Sequence, residues 1–148
     1  MATGGCFTTT AYSYIGEQWK KRTPEFKDWL RQAAVSWRRE PTVKRVARPT
    51  RLDRARRVGY KAKPGVLVVR VRLRRGGARK QRPKSGRRQK AMGVVKFRRG
   101  IALQQIAERR VNRKYPNMTV RDSYYVYSDG RNHWYEVILH DIGHPSSS

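Results

Sequence analysis

What this sequence lacks most conspicuously is negative charge in its middle. Between Asp53 and Glu108 there is no Asp or Glu, while residues 54–107 carry nineteen Arg or Lys. Such a surface cannot neutralise itself. It calls for an external polyanion, and phosphate-rich nucleic acid is the general solution. The whole chain has only ten acids, which leaves few carboxylate pairs for hydrolytic chemistry. Cys6 is the one cysteine, so an intramolecular disulfide and a Cys-cluster zinc site are both excluded. No apolar run approaches the roughly 18 residues of a membrane span. The opening MATGGCFTTT has neither the charged nor the apolar region of a signal peptide, and the chain reads as soluble and intracellular.

Enzyme signatures are missing as well. The run RRGGARKQRPKSG, from Arg74, holds glycines and a Lys-Ser pair but not the G-x-x-x-x-G-K-[ST] spacing of a phosphate-binding loop. His133, His140 and His144 cluster late in the chain, yet His140 and His144 straddle a strand end and a glycine, not a helix face, and read as ordinary surface. Asp141 beside His140 has no nucleophile in view. From the residues alone, then, no enzyme signature and no metal-ligand set emerges.

What is present is a strong asymmetry. The net charge is +26, but residues 115–148 have two basic and four acidic side chains, so that end is an ordinary protein surface. Periodicity places the elements. Tyr12, Ile15 and Trp19 mark one face of a helix over 11–22. Thr23-Pro24-Glu25 restarts a helix, with Thr as cap and Pro in the first helical position. Its stripe of Phe26, Trp29, Leu30, Ala33 and Trp37 reads as core packing in preference to base stacking, and Glu40-Pro41 ends it. Residues 42–47 make a short strand. Thr50 and Asp53 resemble a capping box opening a short helix with a Leu52, Ala55, Val58 seam, from which Arg51, Arg54, Arg56 and Arg57 point outward; Gly59 suits a left-handed cap.

Residues 66–74 form the clearest strand. Val69, Val71 and Leu73 face one way and Arg70, Arg72 and Arg74 the other, spaced by about 6.6 Å, close to the phosphate spacing along an RNA strand. Residues 75–100 have no hydrophobic period and contain five glycines and Pro83. They read as an extended arm that orders only on a polyanion. A helix over 101–115 buries Leu103, Ile106, Ala107 and Val111, with Glu108 opposite. Two strands, 119–127 and 133–141, form a hairpin across Asp129-Gly130. Arginine outnumbers lysine in the basic middle, and its planar fork suits phosphate. With no aromatic pairs of an RNA-recognition sheet and no zinc-finger spacing, the arm suits shape and backbone contacts to a large structured RNA.

Several segments together resemble a known family: AYSYIGEQWK at 11–20, RPTRLDRARRVGYKAKPG at 48–65, VVRVRLRRGG at 68–77, IAERRVNRKYPN at 106–117 and SYYVYSDGRNHWYEVILHDIGHP at 123–145. The chain resembles the L-fifteen-e family of large-subunit ribosomal proteins of archaea and eukaryotes, in archaeal style. The resemblance implies an α+β fold, with a small antiparallel sheet in β-(α)-β-α-β-β order, helices on its faces and a long basic arm. The likeness spans one domain over 11–145 including the arm at 75–100; residues 1–10 read as a disordered tail and 146–148 as a short tail. The resemblance implies a structural, non-catalytic constituent of the cytoplasmic ribosome, without cofactor or small-molecule substrate, whose partners are large-subunit rRNA and neighbouring ribosomal proteins, with no membrane. By position, the implied rRNA contacts are Arg48, Arg51, Arg54, Arg56, Arg57, Lys61 and Lys63. They continue with Arg70, Arg72, Arg74, Arg75, Arg79, Lys80, Arg82, Lys84, Arg87, Arg88, Lys90, Lys96, Arg98 and Arg99. Family members carry a further basic segment after the stretch matching Asp141 to Pro145, where this sequence has three serines, and the first ten residues differ from the family start. From composition alone, a general nucleic-acid-binding or RNA-chaperone protein is the competing reading.

Overall fold

The computed structural model describes residues 10–77, 80–94, 99–141 and 143–144. Two helices open the fold, α1 (Ala11–Lys21) and α2 (Pro24–Arg39), followed by the four-residue strand β1 (Val43–Val46). The short helix α3 (Leu52–Arg57) leads to strand β2 (Val66–Arg74). Helix α4 (Leu103–Lys114) precedes the hairpin strands β3 (Thr119–Ser128) and β4 (Asn132–His140). The four strands form one sheet in the order β1-β2-β4-β3, every neighbour antiparallel. The fold is α+β, as the resemblance implied.

Both faces of the sheet are covered. Alternation along β2 and β4 sends Val69, Val71, Leu73, Val137 and Leu139 to one side, where they pack on Ala107 and Val111 of α4. Val68, Trp134 and Ile138 go to the other side and meet Trp19, Leu30, Ala34, Trp37 and Ala55 from the first three helices. Trp37 meets Trp134 edge-on with ring centroids 5.7 Å apart. The apolar stripe of α2 therefore has its target on the face of β2 that carries Arg70 and Arg72. Trp29 departs from that stripe: it stacks on Phe26 and stays 48% exposed.

Two local signals act differently from the sequence reading. Thr23 sits at the start of α2 without a side-chain cap bond. Arg51, not Thr50, occupies the cap position of α3, and the Thr50 hydroxyl reaches across the sheet instead. Gly59 does take positive φ, +89°, just past α3. In the β3–β4 turn the Asp129 carboxylate accepts the N–H groups of Arg131 and Asn132 at 2.7 and 2.5 Å. It also pairs with Arg38 at 3.1 Å, tying α2 to the hairpin. Glu108, read as outward, accepts a hydrogen bond from the Ser123 hydroxyl at 2.5 Å.

Candidate nucleic-acid interface

The basic segment that follows β1 is held to the sheet by a buried acid. Glu136 of β4 is fully enclosed between Trp134 and Ile138. Its Oε2 accepts the Thr50 N–H at 3.0 Å and the Tyr124 hydroxyl at 2.5 Å; its Oε1 accepts the Thr50 hydroxyl at 2.5 Å. Arg70 lies 4.0 Å from the same carboxylate and donates to Glu40 at 2.9 Å, its guanidinium over the Trp37 ring. A buried carboxylate needs such a set of donors, because an unpaired charge here would be strongly destabilising. Burial, and then the neighbouring Glu136 charge, push the Tyr124 hydroxyl far above its ordinary value. Burial alone would raise Glu40, but bonds from Lys44 and Arg70 outweigh it and hold the carboxyl low.

From Thr50 the chain enters α3, which docks on α1 through Ala55 and the partly buried Leu52 and Val58. Asp53 is buried with them and pairs with Arg51 at 3.3 Å, while the Arg51 guanidinium lies over Trp19 at 4.6 Å. That packing turns Arg54, Arg56 and Arg57 outward, and Lys61 and Lys63 follow on the exposed loop toward Gly65; Arg48 is exposed just before the helix. Arg56 lies 6.0 Å from the Tyr12 ring. Of these six, none forms an ion pair among the described residues.

Two of the residues read as outward-facing are turned inward. Arg70 is 9% exposed and its charge is answered by Glu40 and Glu136. Arg51 is largely enclosed by Asp53 and Trp19. Helices α1 to α3 cover the arginine face of β2, so Arg70 there must meet an acid or an aromatic ring; Arg51, at the start of α3 where it docks on α1, meets one of each. Arg72 is half-buried and donates to the Arg38 carbonyl, whereas Arg74 and Arg75 emerge from the strand end. Along the basic stretch, Lys80, Arg82, Lys84, Arg87, Arg88, Lys90 and Arg99 are all exposed. The only regular structure among its described residues is a single 3-10 turn at Gln89–Ala91. Arg79, Lys96 and Arg98 lie outside the described residues, as do residues 1–9 and 145–148.

Arg110 of α4 and Arg131 of the hairpin turn join Arg72, Arg74 and Arg75 around one groove. Sequence reasoning named neither as a contact, because each sits in a different element; the only signal was the cluster of cations at the end of α4. The late histidines serve the fold. His133 lies among Tyr125 and Tyr135, and His140 stands 3.3 Å from Arg121. Burial, together with nearby Arg75 in one case and Arg121 and Lys61 in the other, keeps both imidazoles below their ordinary value. Among the described residues, no three His, Cys, Asp or Glu side chains converge as a metal site would require.

The family model described as Ribosomal L15 matches residues 10–147. The chain belongs to this ribosomal protein family. The match runs through every segment on which the resemblance rested, from α1 to the end of β4. As a Ribosomal L15 protein of the large subunit, the chain has a structural role in translation. No helix among the described residues is long and apolar enough to cross a membrane.

Proposed function

We propose that the protein binds and stabilises folded large-subunit rRNA in the cytoplasmic ribosome through phosphate contacts of its exposed arginines and lysines. One observation carries this: Arg48, Arg54, Arg56, Arg57, Lys61 and Lys63 stand exposed, without ion pairs among the described residues, on a segment fixed to the sheet by Glu136. Rigid placement lets cations meet phosphates without first losing conformational freedom. In this reading the basic stretch at 75–100 adds a second set of cations that orders against RNA, Arg79, Lys96 and Arg98 among them. Arg51 and Arg70 act behind the surface, positioning their neighbours. The site carries no reaction; its chemistry is charge neutralisation, with neighbouring large-subunit proteins as further partners.

The experiment is binding of the full chain to large-subunit rRNA fragments across a salt series, with co-sedimentation of the endogenous protein in a high-salt gradient. About seven phosphate contacts give a slope of log K against log salt of roughly −6. A slope near zero overturns the proposal. Equal affinity for rRNA and random duplex, with no travel alongside large subunits, selects the general nucleic-acid binder instead.

A further inference from the structure

Strand β1 is too short to cover β2. Its pairing ends at Val43 opposite Val71, and the Thr42 carbonyl takes the Arg72 N–H. Beyond that point β2 runs on with only β4 beside it, Leu73 against His133 and Arg74 against Asn132. The uncovered edge forms a groove of about 650 Å³ lined by Thr42, Gly130, Asn132 and five arginines: Arg72, Arg74, Arg75, Arg110 and Arg131. No acid lines it. Asp129, the nearby acid of the hairpin, is engaged by Arg38 and by the turn's own N–H groups.

Two of the five guanidiniums are set in place from behind. Arg72 donates to the Arg38 carbonyl, and Arg75 donates to the Asp129 carbonyl at 3.0 Å. Each uses one N–H of five for this, leaving the rest of the fork for a ligand. Arg74, Arg110 and Arg131 are exposed and meet from three elements: strand, helix and turn. Five like charges around one groove repel one another, and nothing among the lining residues offsets this. An anion carrying several charges removes the repulsion, and guanidinium forks bind phosphate oxygens in pairs.

We infer that this groove is a second, separate phosphate clamp that holds the sugar–phosphate backbone of a single RNA strand. It deepens the rRNA proposal above and rests on it for the source of the strand. The size fits: the groove has the volume of a small-ligand pocket, room for one or two nucleotides, whereas a duplex would span it from outside. Arg72 and Arg74 lie about 6.6 Å apart along β2, matching consecutive phosphates. The lining offers guanidiniums and one Asn but no aromatic ring, so it grips backbone without reading bases.

The test uses the full chain with Arg74, Arg110 and Arg131 all changed to Gln, against a control with Lys20, Lys27 and Arg39 changed to Gln, which removes the same charge elsewhere. Binding is measured to single-stranded oligoribonucleotides of several sequences, to a duplex and to an rRNA fragment, across a salt series. The groove variant is expected to lose about two to three units of salt slope on single strands, equally for all sequences, while the control changes little. Equal slopes for the two variants, or a groove variant equal to the parent, overturn the clamp. So does a preferential loss on duplex. Inorganic tripolyphosphate serves as competitor: displacement of the strand at matched phosphate concentration identifies a free-polyphosphate site and overturns the strand assignment. If the Gln variant does not fold, the corresponding Lys triple keeps the slope but loses several-fold in affinity, because a point charge replaces a fork; unchanged affinity overturns the clamp. Loss of rRNA preference in the parent protein refutes the rRNA proposal without touching the groove result.

Discussion

Thr50 and Glu136 are 86 residues apart in sequence, and two hydrogen bonds join them inside the fold, one from the Thr50 backbone and one from its hydroxyl. The first anchors the entrance of α3 whatever the side chain; the second makes threonine or serine the fitting residue. The relation ties a surface of cations to the deepest acid of the sheet.

Replacing Glu136 by Gln keeps the volume but removes the charge facing Arg70 and turns an amide donor toward Thr50 or Tyr124. The expected loss is about 3 kcal/mol, read by urea denaturation followed through tryptophan fluorescence. Thr50→Val, which keeps the N–H bond, is expected to lose about 1 kcal/mol. Equal stability of Glu136→Gln and the parent contradicts the anchoring role.

Gly59 combines φ of +89° with a close neighbour: a Cβ there would collide with the Arg121 guanidinium. Gly59→Ala is expected to destabilise by about 1–2 kcal/mol. Adding Arg121→Ala relieves the collision but not the backbone strain, so the double variant recovers only part of the loss. Full recovery shows that φ contributes nothing.

Acid lowers stability, and the sign is the same for four groups. Glu40 and Asp129 titrate below their ordinary 4.5 and 3.8; burial opposes this, but hydrogen bonds and nearby cations prevail. Their contribution is present above those values and is lost as pH falls through the lower, folded-state values. His133 and His140 are held below 6.5 mainly by burial, so the unfolded chain takes up their protons first and stability begins to fall below about pH 6.5. Denaturation midpoints from pH 8 to 3 are expected to drop in two stages, and His133→Gln with His140→Gln to flatten the first. At the other end, Tyr124 keeps its proton beyond its ordinary 10.0, so stability also declines above that pH.

Arg54 and Arg57 are exposed and off the Leu52–Val58 seam. Changing both to Glu is expected to reduce incorporation into large subunits at least tenfold, with the unfolding free energy from urea denaturation unaltered to within about 0.5 kcal/mol. Normal incorporation removes α3 from the contact surface.

Much of this was legible in the chain. The period of two from Val69 to Leu73 and the stripe ending at Trp37 each named their element and its buried side. They could not say that they met on the same sheet. The partners that turn Arg70 inward, Glu40 and Glu136, lie 30 residues before it and far beyond it in β4, and no local pattern links them. Thr50 misled for the same reason: Asp53 three residues on imitates a local cap, while the stronger acceptor waits in another strand. The five-arginine groove was illegible because its walls come from β2, α4 and the hairpin turn, which only tertiary packing brings together.

Leu73 at the end of β2 and Leu103 at the start of α4 pack into the same apolar cluster. The long basic stretch between them is thus anchored to the fold at both ends, not a free tail. Whatever encircles it must receive both legs through one opening, or be wound around it afterwards. A partner that surrounds both legs can let them go through that same opening, so withdrawal asks for no unfolding of the chain.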